Sequence, residues 1–332
     1  MKKLAIVGCG GMIYDFIYEY TKTLDVNLEA ICGEESAVKR FAQMYAVPRL
    51  FSDYAEMLDT VRPDLVIVFP SDETTQARTA KASMLAGADV LCERPICHSI
   101  AEGEELIAVQ EKTGHFVMPR YNRRYMNAYI SAKHIMGSPE FGAAYMYSSS
   151  FHAAAYGSEE QFISNHISHH LDLARMLLGE IRLLHVGRIA ESTRRVGFNI
   201  VFEREKPGDN GLKTLGNIQS NSFLCGDYPM ERLDISGNLR QIIVENVRTL
   251  RYNRPVKRLE NSGAEDFLAE GGTRILNMNY AQLNNFAFYG FENMLKEFVR
   301  CSEAMVKPVQ DMEDALKTFM LVQSLKALVS SA

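Results

Sequence analysis

No run of apolar residues in this chain comes near the roughly 20 that a helix needs to cross a bilayer. The run 65–69, Leu-Val-Ile-Val-Phe, stops after five. Lys2 and Lys3 imitate the basic start of a secretory leader, but only Leu4 to Val7 follow before Gly8, too few for its apolar core. There is no excess of positive charge either. Against 36 Lys and Arg stand 41 Asp and Glu, a net charge of −5, so a phosphate backbone or an anionic membrane surface has nothing to attract. Neither nucleic acid nor a membrane is expected as a partner. The six cysteines, Cys9, Cys32, Cys92, Cys97, Cys225 and Cys301, form no C-x-x-C pair and lie mostly in apolar stretches, which predicts reduced thiols and a cytoplasmic protein. Internal repeats and low-complexity linkers are also missing from the sequence.

What is there suits a soluble globular chain. Hydrophobic residues make up 47% and charged residues 23%, and 332 residues suffice for two sizeable cores. Up to about residue 120, short apolar runs at 4–7, 28–32, 65–69, 89–92 and 116–118 alternate with amphipathic stretches at 13–24, 36–45, 54–61, 74–86 and 100–113. This rhythm predicts a doubly wound parallel sheet with crossover helices. Beyond Arg120 the strand-like runs 143–151, 181–189, 196–202, 217–223, 232–236 and 241–244 arrive with few helices between them, and an antiparallel sheet accounts for that most simply. Helices are predicted at 127–136, 165–178, 291–304 and 312–329, the last capped by Asp311, and surface loops at 204–216 and 252–274. The expected domains are 1–120 and 121–332, with the last helix free to pack back on the first.

Directly after the first apolar run comes Gly8-Cys9-Gly10-Gly11-Met12-Ile13. In that position Gly8 permits a tight turn, Gly10 lets the backbone approach a pyrophosphate, and the following helix N-terminus offers N–H donors. Ile13 stands where a third glycine would let helix and strand pack closely. At the end of the second run, Gly33 and Glu34 stand where an acid would accept from an adenosine ribose 2′-hydroxyl, with Lys39 and Arg40 just beyond. This pattern leaves NAD and NADP both open.

Further segments resemble one family, the glucose-fructose oxidoreductase, inositol dehydrogenase and MocA group (Gfo/Idh/MocA). Pro63 to Val68 with Pro70 and Ser71 is similar to its fourth strand and turn. Ala86 to Pro95, containing Glu93 and Arg94, is similar to its Gly-x-x-Val-x-x-Glu-Lys-Pro segment. Tyr121 to Tyr125, with Arg124, resembles its Arg-aromatic crossover, and His169 with Asp172 its His-x-x-Asp-Leu helix. The C-terminal Phe298, 306–309 and 311–328 segments are similar as well. The resemblance implies an α/β chain: an N-terminal Rossmann domain binding NAD(P), then a C-terminal α+β domain with a large, mainly antiparallel open sheet. It also implies a sugar-like small-molecule substrate and a homodimer or homotetramer formed through that sheet. Cofactor contacts are implied for Gly8, Gly10, Gly11, Met12, Gly33, Glu34, Pro70, Ser71, Glu93 and Arg94. Substrate contacts are implied for Arg124, Tyr125, Asn165, His169 and Asp172, and catalysis for His169, Arg94 and Asn165.

The sequence departs from the family where the chemistry lies. Arg94 replaces the lysine of Glu-Lys-Pro, and Asn165 replaces an aspartate four residues before the histidine. A guanidinium does not deprotonate and an amide does not titrate, so only His169 keeps the ability to act as acid or base. Spacings of four and seven put Asn165, His169 and Asp172 on one helix face, where Asp172 is expected to orient the histidine or cap a neighbouring strand. His166, His169 and His170 have the spacing of zinc ligands, but no acid or cysteine completes a set, and no metal is expected. Two readings stand: an oxidoreductase with His169 as its one proton carrier, or a catalytically degenerate NAD(P)-binding sensor or partner protein.

Overall fold

A computed structural model describes residues 1–8, 21–70, 72–208, 211–224, 229–255, 272–277 and 289–331. Cys9, Gly10, Gly11, Met12 and Ser71, and most of the helix expected over 13–24, lie outside them. The described residues form two compact units, Met1–Asn122 with Gly290–Met320, and Arg123–Tyr289 with Leu321–Ala332.

The first unit is built on six parallel strands: β1 (Lys2–Val7), β2 (Val26–Cys32), β3 (Arg49–Phe51), β4 (Leu65–Val68), β5 (Asp89–Cys92) and β6 (Val117–Pro119). Their order is β3-β2-β1-β4-β5-β6, so the direction of winding reverses between β1 and β4. β4 and β5 are buried along their whole length, which is why they read as continuous apolar runs. The short β3 has no such run and joins the sheet by pairing with β2 at Ala30, Ile31 and Cys32.

Helices α1 (Glu35–Tyr45), α2 (Tyr54–Val61), α3 (Gln76–Leu85) and α4 (Ile100–Thr113) cross between the strands. Asp53 caps α2 by accepting from the N–H groups of Ala55 and Glu56, and Ser99 caps α4 by accepting from Glu102. The C-terminal helix α8 (Phe291–Glu303) is held to this sheet by polar links inside the unit. Lys2 donates to the Ser302 hydroxyl at 2.8 Å, and that hydroxyl donates to the buried Asp89. Gln110 of α4 donates to Asp311 at 3.0 Å and accepts from the Val117 N–H at 3.2 Å. Asp311 also accepts from the N–H groups of Glu313 and Asp314, capping α9 (Met312–Ser331) as its sequence predicts. Cys32, Cys92, Cys97 and Cys301 carry buried free thiols.

The second unit carries an eight-stranded sheet, made of β7 (Met146–His152), β8 (Ile181–Ser192), β9 (Arg195–Arg204), β10 (Leu215–Asn221), β11 (Met230–Gly237), β12 (Arg240–Glu245), β13 (Thr249–Arg254) and β14 (Gly272–Asn277). It is mainly antiparallel, the exception being the parallel pair β7–β10 at its centre. Two expectations need correction. The loop predicted over 252–274 gives Tyr252 to Arg254 to β13 and its last residues to β14, because cross-strand pairing outweighs local polarity. The helix predicted from residue 165 begins earlier, as α6 (Glu159–Phe162), and reaches α7 (Ser168–Leu178) through a π-turn at Ile163–Ile167.

Alternation along β7 buries Tyr147, Ser149 and Phe151 and turns Met146 and Ser148 outward. Helix α5 (Asn127–Met136) and the 159–178 segment contribute Ala128, Tyr129, Ala132, Phe162, Ile167 and Leu171 to the core over that inner face. No helix among the described residues is long and apolar enough to cross a membrane.

Candidate functional site

In the first unit the candidate residues lie where the parallel strands end. Gly8 follows β1 with φ +106°, a left-handed conformation that favours glycine, and a Cβ there would fall 1.8 Å from the carbonyl oxygen of Phe69. The close approach of the chain after β1 to the chain after β4 therefore requires this glycine. Pro70 lies in the same crossing. This crossing sits at the sheet reversal between β1 and β4, the place where a doubly wound sheet receives a nucleotide.

One strand over, the Gly33 N–H donates to the Phe51 carbonyl at 3.0 Å, and Glu34 precedes α1 with its carboxylate accepting from the Ser36 hydroxyl at 2.7 Å. Lys39 is engaged by Glu35 at 2.5 Å, one turn away on the same helix. An acid held at the end of β2 thus faces the solvent with its basic neighbour already paired.

After β5, the Glu93 N–H donates to the Val68 carbonyl, while the Glu93 carboxylate accepts from the Arg94 N–H at 2.9 Å and from Arg120 Nε at 2.5 Å. Arg120 also reaches Asn122 Oδ1 at 3.3 Å. Arg94 is 5% exposed, and its guanidinium lies 5.9 Å from the Tyr121 ring centroid, a distance suited to cation–π attraction. Glu93 is thereby a strut for the backbone that carries Arg94.

In the second unit, the π-turn sets the catalytic candidates. The Ser168 N–H reaches back to the Ile163 carbonyl, so one extra residue is accommodated between Ile163 and Ser168, in the turn that carries Asn165 and leads to His169. Asn165 Nδ2 donates to the Tyr156 hydroxyl at 3.2 Å. His169 is 4% exposed on the first turn of α7. Asp172 receives a bidentate grip from Arg124, Nε at 2.8 Å and Nη2 at 2.6 Å, which joins the 122–125 turn to α7. Tyr125 ends that turn, half-buried.

His170 is fully buried and His166 is half-buried at the edge of the core. His166 stacks on Phe151 with ring centroids 4.7 Å apart, and the His170 ring lies 5.5 Å from the same phenylalanine. Among the described residues no group of three or more His, Cys, Asp or Glu side chains has the geometry to hold a metal ion.

Beneath these residues lies a charged network for which the sequence carries no local signal. Arg123 Nη2 donates to Glu231 at 2.6 Å and Arg123 Nε at 3.1 Å, and the Tyr129 hydroxyl donates to the same carboxylate. Burial would raise the Glu231 pKa, but the positive charge of Arg123, followed by His170 and the two donors, brings it down to about 2. Burial lowers the His170 pKa to about 4, against the pull of Glu231, so its ring is neutral near pH 7. Consecutive arginines therefore point to different elements, Arg123 to β11 and Arg124 to α7. The pair of basic residues was visible in the sequence, but the partner of Arg123 lies 108 positions away and was not.

Comparison with known proteins adds three findings. Residues 2–121 match the model of an oxidoreductase family, NAD-binding Rossmann fold, of the Gfo/Idh/MocA type. The chain is 25% identical to D-apiose dehydrogenase of Paraburkholderia graminis over 60% of its own length and 55% of that protein. It is 28% identical to inositol 2-dehydrogenase of Salmonella typhimurium over 54% of its own length and 55% of that enzyme, so the match spans about half of the curated relatives. In fold, a dehydrogenase from Clostridium difficile superposes with a TM-score of 0.81 at 16% identity, covering 100% of this chain and 99% of that one.

Proposed function

We propose, from the match of residues 2–121 to the NAD-binding Rossmann-fold model of the Gfo/Idh/MocA oxidoreductase family, that the chain is an NAD(P)-dependent oxidoreductase acting on a hydroxyl or carbonyl group of a sugar or polyol. The observation that carries the reading is the glycine turn at Gly8, set at the reversal of a β3-β2-β1-β4-β5-β6 sheet. The described residues there, Gly8 and Pro70 at the crossing, Glu34 after β2 and Glu93 after β5, support a dinucleotide. Gly8, Gly10, Gly11 and Met12 would lie along the pyrophosphate, Gly33 and Glu34 by the adenosine ribose, and Pro70, Ser71, Glu93 and Arg94 by the remainder of the cofactor.

When bound, the nicotinamide supplies the hydride acceptor or donor. The chain supplies the rest. His169 takes the hydroxyl proton during oxidation and returns it during reduction, since it is the member of the catalytic trio able to carry one. Arg94, permanently charged and supported through the Glu93–Arg120 strut, holds the substrate oxygen on which negative charge develops. Asn165, steadied by Tyr156, offers an amide to a neighbouring hydroxyl. Arg124 and Asp172 act as a clasp that fixes the start of α7, and with it the direction of His169. Tyr125 completes the set of substrate contacts.

We place the protein in the cytoplasm, as its free thiols suggest. We also propose self-association through the outer face of the eight-stranded sheet, where Met146, Leu215 and Met230 are exposed.

The test is a titration with NAD and NADP by nicotinamide fluorescence, followed by a screen of aldoses, ketoses and polyols, D-apiose and myo-inositol included, read by nicotinamide absorbance. Turnover that vanishes in His169→Asn supports the reading. A wild type that binds cofactor but is inert on every compound, beside an Arg94→Lys/Asn165→Asp variant that gains turnover, would favour the degenerate sensor instead.

A further inference from the structure

Tyr156 lies in the loop 153–158 between β7 and α6, a stretch that local sequence alone would leave free to take many shapes. Contacts on both sides of the tyrosine hold it to one. The Tyr156 N–H donates to the Arg194 carbonyl at 3.1 Å, and Arg194 Nε donates back to the Tyr156 carbonyl at 3.1 Å. Two residues on, the Ser158 hydroxyl accepts from the Gln161 N–H at 3.1 Å and caps α6. The Tyr156 ring meets His166 edge-on with centroids 4.6 Å apart, and Phe162 at 6.3 Å. Backbone and ring are thus fixed while the residue stays half-buried, with part of its surface open.

The bond to Asn165 decides where the phenol proton goes. An amide nitrogen has no acceptor capacity, so across the 3.2 Å between them Asn165 Nδ2 donates and the Tyr156 oxygen accepts. The Tyr156 O–H must therefore turn away from that nitrogen, and among the described residues no hydrogen bond takes its proton. A half-buried hydroxyl placed this way keeps one donor for an oxygen that arrives beside Asn165. The aspartate that the family resemblance implies at residue 165 would instead have accepted from the phenol, so the exchange to asparagine is what releases this proton.

We infer that Tyr156 is a further substrate-binding residue, a phenol that donates to one substrate oxygen while the Asn165 amide meets its neighbour. The 3.2 Å between the phenol oxygen and the amide nitrogen is close to the spacing of oxygens on adjacent carbons. The pair therefore selects a vicinal diol or an α-hydroxy carbonyl over a lone alcohol. This inference rests on the proposed reading of the site as one for sugars or polyols, and narrows it.

Tyr156→Phe tests it, since the ring against His166 is kept and the hydroxyl alone is lost. The measurement is the calorimetric dissociation constant, on NAD-loaded protein, of the sugar or polyol that the screen identifies, with kcat measured beside it. Tyr156→Phe is expected to weaken binding about 3- to 10-fold, with kcat within about twofold of the wild type. The same loss is expected when Tyr156→Phe is added to Asn165→Ala, and no loss is expected for an analogue lacking the hydroxyl next to the reacting carbon. Unchanged binding in Tyr156→Phe, beside a wild type that turns the compound over, would overturn this contact and leave the proposed reaction standing. A loss that disappears in the Asn165→Ala background would overturn it too, because Tyr156 would then act only by holding Asn165. A wild type that neither binds nor turns over any compound of the screen would overturn the reaction and the contact together.

Discussion

Removing one partner of the Arg123–Glu231 pair is expected to cost far more stability than removing both. Each residue is 8% exposed, and Arg123 meets both carboxylate oxygens, with Nε at 3.1 and 3.2 Å and Nη2 at 2.6 Å. Taking these charges out of water is expensive, and their mutual attraction with the Tyr129 hydrogen bond offsets that cost. Arg123→Met leaves the carboxylate buried with only neutral neighbours, Tyr129 and His170, and should destabilise the protein by roughly 3–5 kcal/mol. Glu231→Gln strands the guanidinium and should fall in the same range, about 3–5 kcal/mol. The double change Arg123→Met/Glu231→Leu removes both desolvation costs, so it should recover most of the loss and end within about 1 kcal/mol of the wild type. Urea denaturation followed by circular dichroism measures all three, provided the slope of the transition is unchanged. A single variant that loses less than about 1 kcal/mol, or a double variant no better than the singles, would refute the view that burial of a paired charge dominates here.

The same network sets a direction for pH. The folded-state pKa of Glu231 is held down to about 2, so its stabilising contribution is complete above the ordinary carboxylate range and is lost as pH falls toward that value. His170, lowered to about 4, is neutral in the fold while the unfolded chain protonates near 6.5, so stability also declines as pH drops from 6.5 toward 4. Melting temperatures across pH should therefore fall steadily on the acid side, and His170→Phe should remove the upper part of that fall. Gly8→Ala is expected to cost several kcal/mol on the order of a core substitution, since its Cβ would overlap the Phe69 carbonyl at 1.8 Å and its φ is +106°. A melting temperature equal to the wild type would show that the turn after β1 relaxes freely. Ser99→Ala should cost about 1 kcal/mol through the lost cap on α4, as read by thermal denaturation. Gly33→Asp should raise the preference for NAD over NADP, measured as the ratio of dissociation constants, because a second carboxylate beside Glu34 repels a 2′-phosphate.

Much of the parallel sheet was legible because strands buried on both faces must be apolar throughout, as 65–68 and 89–92 are. β3 escaped notice because an edge strand of three residues, two exposed and one half-buried, needs no such run. The second sheet showed its alternating strands but not its parallel pair, since β7 and β10 meet across more than 60 residues and nothing local specifies the direction of pairing. β13 and β14 were hidden by Arg, Asn and Gly, residues that local propensity assigns to loops and that neighbouring strands nevertheless hold in register. Around the candidate site, His169 and Asn165 were proposed from the family resemblance with a helical spacing beside it, and Asn165 lies within a π-turn that the spacing does not show. The Arg124 grip on Asp172 and the Arg123–Glu231–Tyr129 network could not be read, because a buried ion pair leaves no periodicity in the chain.

The most direct test of the whole account is a single comparison of wild type and His169→Asn, in the presence of NAD or NADP and the sugar or polyol found by the screen. Both proteins are expected to bind the dinucleotide with the same dissociation constant, and nicotinamide absorbance is expected to change with time in the wild type alone. Turnover retained in His169→Asn would contradict the assignment of the proton carrier, and a wild type that binds neither dinucleotide would contradict the oxidoreductase itself.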